Sequence, residues 1–336
     1  IFLNRAPEGR NPSAHLHLIR RGVNGAMQRP ILLALNIPFC PCRCDYCDKG
    51  CDVIGDLQVL DRYADALMRE VEASAHQYED CQIQAVWIGG GVVGHLFDEK
   101  LGLLLRRMRE WFSFSPKTEI TLKAHPGMIS TETLAAMHRG GVTRLSMDYA
   151  TANSFESEPL GRYLPPGAMD ITHMVLGSAP VAMSFDVLTG LPAQTPGTMV
   201  QTLERVLNYG ARHVSLMPLR IVPGTPFAEK WVKENAGNTA LRRHLPDNAE
   251  CEAILRRADG WLMEHGFSEY LPGEYALPGE ESIYLRMRAD GCEKLAFGAG
   301  ASTRMDGIYS RNIRDIGNYC RYSPDPQRLT KSAVAL

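Results

Sequence analysis

The chain reads as an α/β protein built on a parallel sheet, and three observations lead there. Apolar runs of strand length alternate with stretches of helical periodicity from residue 31 to about residue 220. Polar residues or glycines stand at the end of each run, where parallel α/β folds keep their chemistry. With 336 residues and 45% hydrophobic content, the chain has material for one large core, or a barrel with a smaller appendage. An open doubly wound sheet and a partial barrel both satisfy this pattern.

Residues 1–30, with Pro, Gly, Arg and Asn and no clear periodicity, form an irregular lead-in. Ile31 to Ile37 is a buried strand. Val59 to Tyr78 carries Leu60, Tyr63, Ala64, Leu67, Met68 and Val71 at helical spacing, capped by Asp56 or Asp61. Strands follow at Ala85 to Ile88, Glu119 to Leu122, Val142 to Met147, Val181 to Leu188 and His213 to Leu219. The intervening helices are Leu101 to Phe112 and Thr131 to Arg139, the latter started by Ser130 or Thr131. Helical material to Met174 is broken near Pro165 and Pro166, and Thr198 to Tyr209 closes the series of six βα-type units. Beyond Pro223 the order changes. Asn248 to Glu264 is a helix with Cys251, Ile254, Leu255, Ala258, Trp261 and Leu262 on one face, followed by short strand-like, glycine-rich pieces. Residues 31–223 therefore form the sheet or barrel, and 224–336 a smaller α+β cap.

Composition removes several classes. Net charge is −2 with scattered basic residues, so no nucleic-acid footprint is expected. No run of 18 apolar residues is present for a membrane span. The N-terminus lacks a charged-then-apolar signal pattern, which gives a cytoplasmic address, and a first residue of Ile1 points to termini that continue further. Nine cysteines clustered towards 40–51 argue for metal in a reducing compartment.

The first strand runs into Pro38-Phe39-Cys40-Pro41-Cys42-Arg43-Cys44-Asp45-Tyr46-Cys47. Through Cys40, Cys44 and Cys47 the spacing is C-x3-C-x2-C. Three thiolates on one loop suit a cubane cluster, each holding a different iron while the fourth iron stays open. A tetrahedral zinc site asks for four ligands, usually with a second pair further along the chain, and no such pair is present. A disulfide or a structural metal knot is the plainer alternative. Cys42 and Cys51 are surplus to the motif, as spare thiols or as functional ones beside the cluster.

This loop resembles the cluster motif of the radical S-adenosylmethionine (radical SAM) enzymes. Ile37-Pro38-Phe39 narrows the likeness to the branch typified by oxygen-independent coproporphyrinogen oxidase. The resemblance implies a partial (β/α)6 TIM-like barrel and a [4Fe–4S] cluster on Cys40, Cys44 and Cys47. It implies SAM chelated to the open iron and cleaved to methionine and a 5′-deoxyadenosyl radical, with a reductant such as flavodoxin or ferredoxin as partner. Tyr46 matches the aromatic position that packs near the adenine.

The strand ends carry further matches. Gly89-Gly90-Gly91 lets backbone approach a ligand and is similar to the family's second motif, which holds the SAM amino group. Relatives continue Thr-Pro-Thr where this chain has Val92-Val93-Gly94. Leu160-Gly161-Arg162 resembles a Leu-Gly-Arg whose arginine contacts the SAM carboxylate region, with a surface arginine as the alternative. Phe185-Asp186-Val187-Leu188-Thr189-Gly190-Leu191-Pro192-Ala193-Gln194-Thr195 resembles the segment whose aspartate, Asp186 here, accepts hydrogen bonds from the SAM ribose. A carboxylate ending an apolar strand is otherwise costly to bury.

Departures are as plain. Lys123-Ala124-His125-Pro126 stands where relatives have Glu-x-Asn-Pro. Ser146-Met147-Asp148-Tyr149-Ala150-Thr151 replaces Ser-x-Gly-x-Gln-Ser, so Ala150 takes the place of the SAM-assisting glutamine. Three functions compete. The leading expectation is methyl or methylene transfer from a second bound SAM to an sp² carbon of a small-molecule or peptide-derived substrate. His125, Asp148, Tyr149 and Cys42 are its candidate bases or substrate contacts, each with a plain loop residue as the alternative. Coproporphyrinogen decarboxylation needs a cationic propionate pocket and a longer C-terminal domain. A haem chaperone of the same branch is not a catalyst. It usually carries a His-Asn-x-x-Tyr-Trp segment, altered here around Tyr284-Leu285-Arg286-Met287, while Phe297-Gly298-Ala299-Gly300-Ala301-Ser302 keeps the Gly-x-Gly-Ala-Ser pattern.

Overall fold

The computed structural model describes residues 28–53, 56–91, 99–162, 164–165, 167–177, 179–235, 245–323 and 325–335. Most of the expected lead-in, Val92-Val93-Gly94 and Pro166 lie outside the described residues. Strand β1 (Arg29–Ile37) runs into a short parallel pair, β2 (Phe39–Cys40) and β3 (Asp52–Val53), which ties down both ends of the cysteine loop. Strands β4 (Cys81–Gly90), β5 (Ser113–Ala124), β6 (Arg144–Ala150), β7 (Ala182–Thr189) and β8 (Ala211–Pro218) follow. Helices α1 (Leu57–Ala75), α2 (Glu99–Trp111) and α3 (Thr131–Gly140) connect the first of them. The short α4 (Ser154–Ser157), α5 (Ala168–Leu176) and α6 (Pro196–Asn208) connect the rest.

Strands β1 and β4 to β8 lie side by side in that order, every pair parallel. β1 and β8 do not pair with each other, so the barrel is partial, as expected. All six expected strands are present. The fourth begins at Arg144 rather than Val142, because Gly141 ends α3 in the left-handed region at φ 76° and Val142 donates back to Met137. The caps are Asp56 for α1 and Ser130 for α3, each side chain accepting from a first-turn amide.

After residue 224 come α7 (Pro226–Asn235), α8 (Asn248–Glu264), β9 (Ser268–Leu271), β10 (Glu274–Ala276), α9 (Ile283–Ala289) and β11 (Lys294–Phe297). Then follow β12 (Ser302–Met305), β13 (Ile308–Asn312), α10 (Ile316–Tyr322), α11 (Pro326–Leu329) and β14 (Thr330–Ala335). This region extends both edges of the sheet. β11 pairs parallel with β1 and leads to β12, β13 and β14, while β10 and β9 continue antiparallel from β8.

Side chains alternate along the parallel strands. Ile120, Leu122, Met147, Phe185 and Val187 join the helices in the main core. Glu119, Lys123, Arg144, Ser146, Ser184 and Asp186 meet one another inside the barrel. Toward the amino ends of β6 and β7 the interior is filled by α9, whose Tyr284 packs on Trp87 with ring centroids 5.4 Å apart. Buried Glu70 on α1 accepts from the Gly298 amide (2.8 Å), Asn312 Nδ2 (2.6 Å) and the Tyr319 hydroxyl (2.7 Å), which fixes the Gly-x-Gly loop beside β1. Among the described residues, no helix is long and apolar enough to cross a membrane.

Candidate functional site

A cavity of about 410 Å³ opens at the carboxyl ends of the parallel strands. Cys40, Cys42, Cys44, Tyr46, Cys47 and Cys51 line one side, and Gly90, Gly91, Lys123, His125 and Asp148 the strand ends. Leu188, Met217, Leu219 and Val222 make an apolar wall opposite. The cysteine loop is held by backbone bonds at several points. Asp45 donates to the Leu160 carbonyl (2.8 Å) and accepts from Phe227 (2.9 Å), and Gly91 donates to Ile37 (2.8 Å).

The glycines have structural reasons of their own. A side chain at Gly91 would run into the Phe39 backbone, and one at Gly90 (φ 109°) into Asn36, so β4 can close onto the loop only with glycine there. Gly161 sits at φ 57° against the Asp45 carboxylate, which delivers Arg162 beneath the loop. Gln194 closes the turn after β7 by accepting from Gly190 (2.7 Å) and donating to Leu188 (3.0 Å). Thr195 then starts α6 with a reciprocal cap to Thr198.

None of the nine cysteines is in a disulfide, and Cys40, Cys44 and Cys47 are each half-buried on the same cavity. Burial pushes the Cys44 thiol up to about 12, with the Arg162 guanidinium pulling the other way. A hydrogen bond with Cys40, then burial, raises Cys51. Among the described residues, no three His, Cys, Asp or Glu side chains converge as for a single ion. Thiols spaced around a cavity, one for each of three irons, fit a cubane better than a zinc knot.

Two buried ion pairs stand at the floor, each with one member, Asp148 or Lys123, reaching the cavity. Arg162 Nη1 meets Asp148 Oδ2 at 2.9 Å, and Arg162 also donates to the Asp148 carbonyl. Burial raises the Asp148 carboxyl, but Arg162, then Lys123 and His125, outweigh it and hold the group well below the usual carboxylate range. Lys123 pairs with Asp186, which also accepts from the Ser146 hydroxyl at 3.2 Å. Burial lowers the Lys123 ammonium to about 8, with Asp148 opposing.

A sequence model described as the radical SAM superfamily matches residues 37–206. The chain belongs to the radical SAM superfamily. It is similar to the haem chaperone HemW of Lactococcus lactis subsp. lactis, 26% identical over 92% of this chain and 79% of that protein. HemW of Haemophilus influenzae is 26% identical over 82% of this chain and 73% of its own. In fold it resembles coproporphyrinogen III oxidase (HemN) of Escherichia coli, with a TM-score of 0.77 at 21% identity, covering 92% of this chain and 72% of that one. These likenesses support the coproporphyrinogen oxidase-like branch of the radical SAM superfamily and the partial barrel with its C-terminal cap. Superfamily membership implies a [4Fe–4S] cluster and SAM.

The expectation of methyl or methylene transfer is overturned. Eight curated relatives, matched over 74% to 92% of this chain, all carry the name of a haem chaperone. Among the expected radical SAM site residues, Cys42, His125 and Asp148 do line the cavity. Tyr149 does not. It is the outward residue next to Asp148 on β6, and its ring packs edge-on against Phe185 (6.1 Å) and Tyr209 (6.2 Å) in the core. Gly89 also lies off the cavity, where a side chain would meet Trp87 Nε1 at 2.6 Å. Arg162 and Asp186 lie behind the wall, each engaged by its partner. His125 is buried, with Nδ1 2.8 Å from the Pro126 carbonyl. At the end of β8 sequence reasoning pointed to the neighbourhood of Arg220, which does line the cavity, but not to the apolar Met217, Leu219 and Val222 around it, for lack of any motif. It noted Lys123 as a strand-end residue and a departure from relatives, but not its pairing with Asp186 two strands away.

Proposed function

We propose that this chain is a haem chaperone built on the radical SAM fold, carrying its cluster on Cys40, Cys44 and Cys47. Gly90 and Gly91 would present backbone to the amino group of SAM, Tyr46 would pack on the adenine, and Arg162 would orient Asp148 at the cavity floor. When bound, the cluster supplies the electron that reductively cleaves SAM. The apolar wall of Leu188, Met217, Leu219 and Val222 offers the surface a macrocycle needs.

The observation that carries the reading is the name shared by relatives along nearly the whole chain. The floor agrees with it. Asp186, the residue expected at the ribose, is held by Lys123, and Ala150, at φ 67° in the core, offers no amide where relatives have glutamine. Both changes loosen the grip on SAM and favour storage and delivery over turnover.

The test is anaerobic reconstitution with SAM, dithionite and haem, followed by gel filtration and incubation with a haem-free acceptor protein. Haem should stay with the chain and then pass to the acceptor, with little 5′-deoxyadenosine and no S-adenosylhomocysteine. Multiple turnovers of SAM without retained haem would sink the reading.

A further inference from the structure

A second space of about 350 Å³ adjoins the main cavity on the far side of Cys51 and Gly90. The two share Asp48, Lys49, Gly50, Cys51 and Gly90, so they meet along the edge of the cysteine loop. Charge is unevenly placed in this annex. Lys49, Arg311 and Arg314 line it, against the single carboxylate of Asp48. Among the described residues, no carboxylate forms an ion pair with Arg311 or Arg314. Arg311 is half-buried at the end of β13, and its Nε is buried with no hydrogen-bond partner.

Leaving guanidinium nitrogen dry and unpaired costs stability, so its placement calls for an acceptor that arrives with a ligand. The surrounding wall is fixed. Asn36 Nδ2 donates to the Ala299 carbonyl (2.5 Å), Tyr63 donates to the Asn36 carbonyl (2.6 Å), and Ala299 donates to the Tyr63 hydroxyl (2.9 Å). Gly300, at φ 69°, makes room for Arg314: a Cβ there would press on its Cγ at 3.1 Å. The wall beside the cations is therefore fixed, and Arg311 stands on β13, a setting in which a planar guanidinium can hold a carboxylate at two points.

We propose that this annex binds the carboxylates of the cargo whose apolar body lies against Leu188, Met217, Leu219 and Val222. The ligand class is an amphipathic, carboxylate-bearing macrocycle such as haem, and the inference rests on the chaperone reading. It assigns the propionate end to Arg311, Arg314 and Lys49, and so fixes which way round the cargo lies.

The test is an absorbance titration of the full chain with iron protoporphyrin IX and with its dimethyl ester, which lacks the charges. Wild type is compared with the Arg311→Gln/Arg314→Gln double variant and with Lys49→Gln, an exposed position where folding is not at risk. The double variant should bind the free acid roughly tenfold more weakly and Lys49→Gln a few-fold more weakly, with ester binding unchanged in both. Equal loss for acid and ester, or no loss for the acid in either variant, overturns the inference and leaves the chaperone reading standing. Failure of wild type to bind either porphyrin overturns both.

Discussion

Each end of the barrel buries an arginine–carboxylate pair, and the two differ in what completes them. Near the amino ends of the strands, Glu119 accepts from Arg144 Nε (3.0 Å), the Ser282 hydroxyl (2.8 Å), Thr121 (3.2 Å) and the amides of Ile283 and Tyr284 (3.3 Å each). Arg144 in turn reaches the Ser184 hydroxyl and the Glu280 carbonyl, both at 2.9 Å. Every polar direction is used by the protein, and the pair seats α9 inside the barrel. At the carboxyl ends, Asp148 and Arg162 meet beside an open cavity, and Arg162 Nε is buried with no protein partner. A saturated pair holds the fold; a pair left short of partners beside a cavity is free to meet a ligand.

The largest expected effect breaks the first member of that comparison. Glu119→Gln strands the buried Arg144 charge and should cost about 3–5 kcal/mol in denaturant unfolding. A loss below about 1 kcal/mol would show that the network is not what seats α9.

Glu70 provides a test of a saturated carboxylate by pH. Burial raises it to about 7 from 4.5, against the hydrogen bonds from Tyr319, Gly298 and Asn312. The folded state therefore holds a proton that the unfolded state releases, so stability falls as pH rises from about 4.5 to 7 and is flat above. Relative to wild type, Glu70→Gln should gain roughly 3 kcal/mol across that window. His213 works in the opposite sense. Burial, then Arg144, lowers it to about 3 from 6.5, so its contribution to stability rises with pH over that range. The two offset each other in wild type, which is why the difference between variants is the quantity to measure.

At the cavity the ranking inverts. Asp148 keeps some contact with solvent, so Asp148→Asn should cost only about 1–2 kcal/mol of stability. It should weaken SAM binding roughly tenfold by isothermal titration, because the cavity loses the carboxylate that Arg162 orients. A large stability loss with unchanged SAM binding would place this pair with the structural one. The smallest effect belongs to Tyr149→Phe, which removes a hydroxyl from a core aromatic. SAM binding and haem retention should stay within error of wild type, with stability changed by less than about 1 kcal/mol.

Much of the barrel was legible because strand and helix periods are local properties. Six strands and the three-cysteine spacing were readable from the chain, and the caps were narrowed to two candidates each, of which the structure uses Asp56 and Ser130. Which residue of a neighbouring pair faces inward was less so, since a shift of one residue exchanges the faces: Asp148 and Tyr149 were both taken as candidates, and only Asp148 lines the cavity. The Glu119 network and the cationic annex escaped because they join positions far apart in sequence, Glu119 to Ser282 and Lys49 to Arg311, that no motif links. Function was misjudged for a related reason. The changes at Lys123, Asp148 and Ala150 suggested a specialised enzyme, whereas in place Lys123 pairs with Asp186, Asp148 with Arg162, and Ala150 packs in an apolar cluster.

The most direct test of the carboxyl-end site is electron paramagnetic resonance of the anaerobically reconstituted, dithionite-reduced chain, titrated with SAM. About four irons per chain, a reduced [4Fe–4S] signal whose g-values shift on adding SAM, and loss of that signal in Cys44→Ala are the expected results. A zinc-filled protein, or a cluster signal indifferent to SAM, would contradict a cavity built for an open iron.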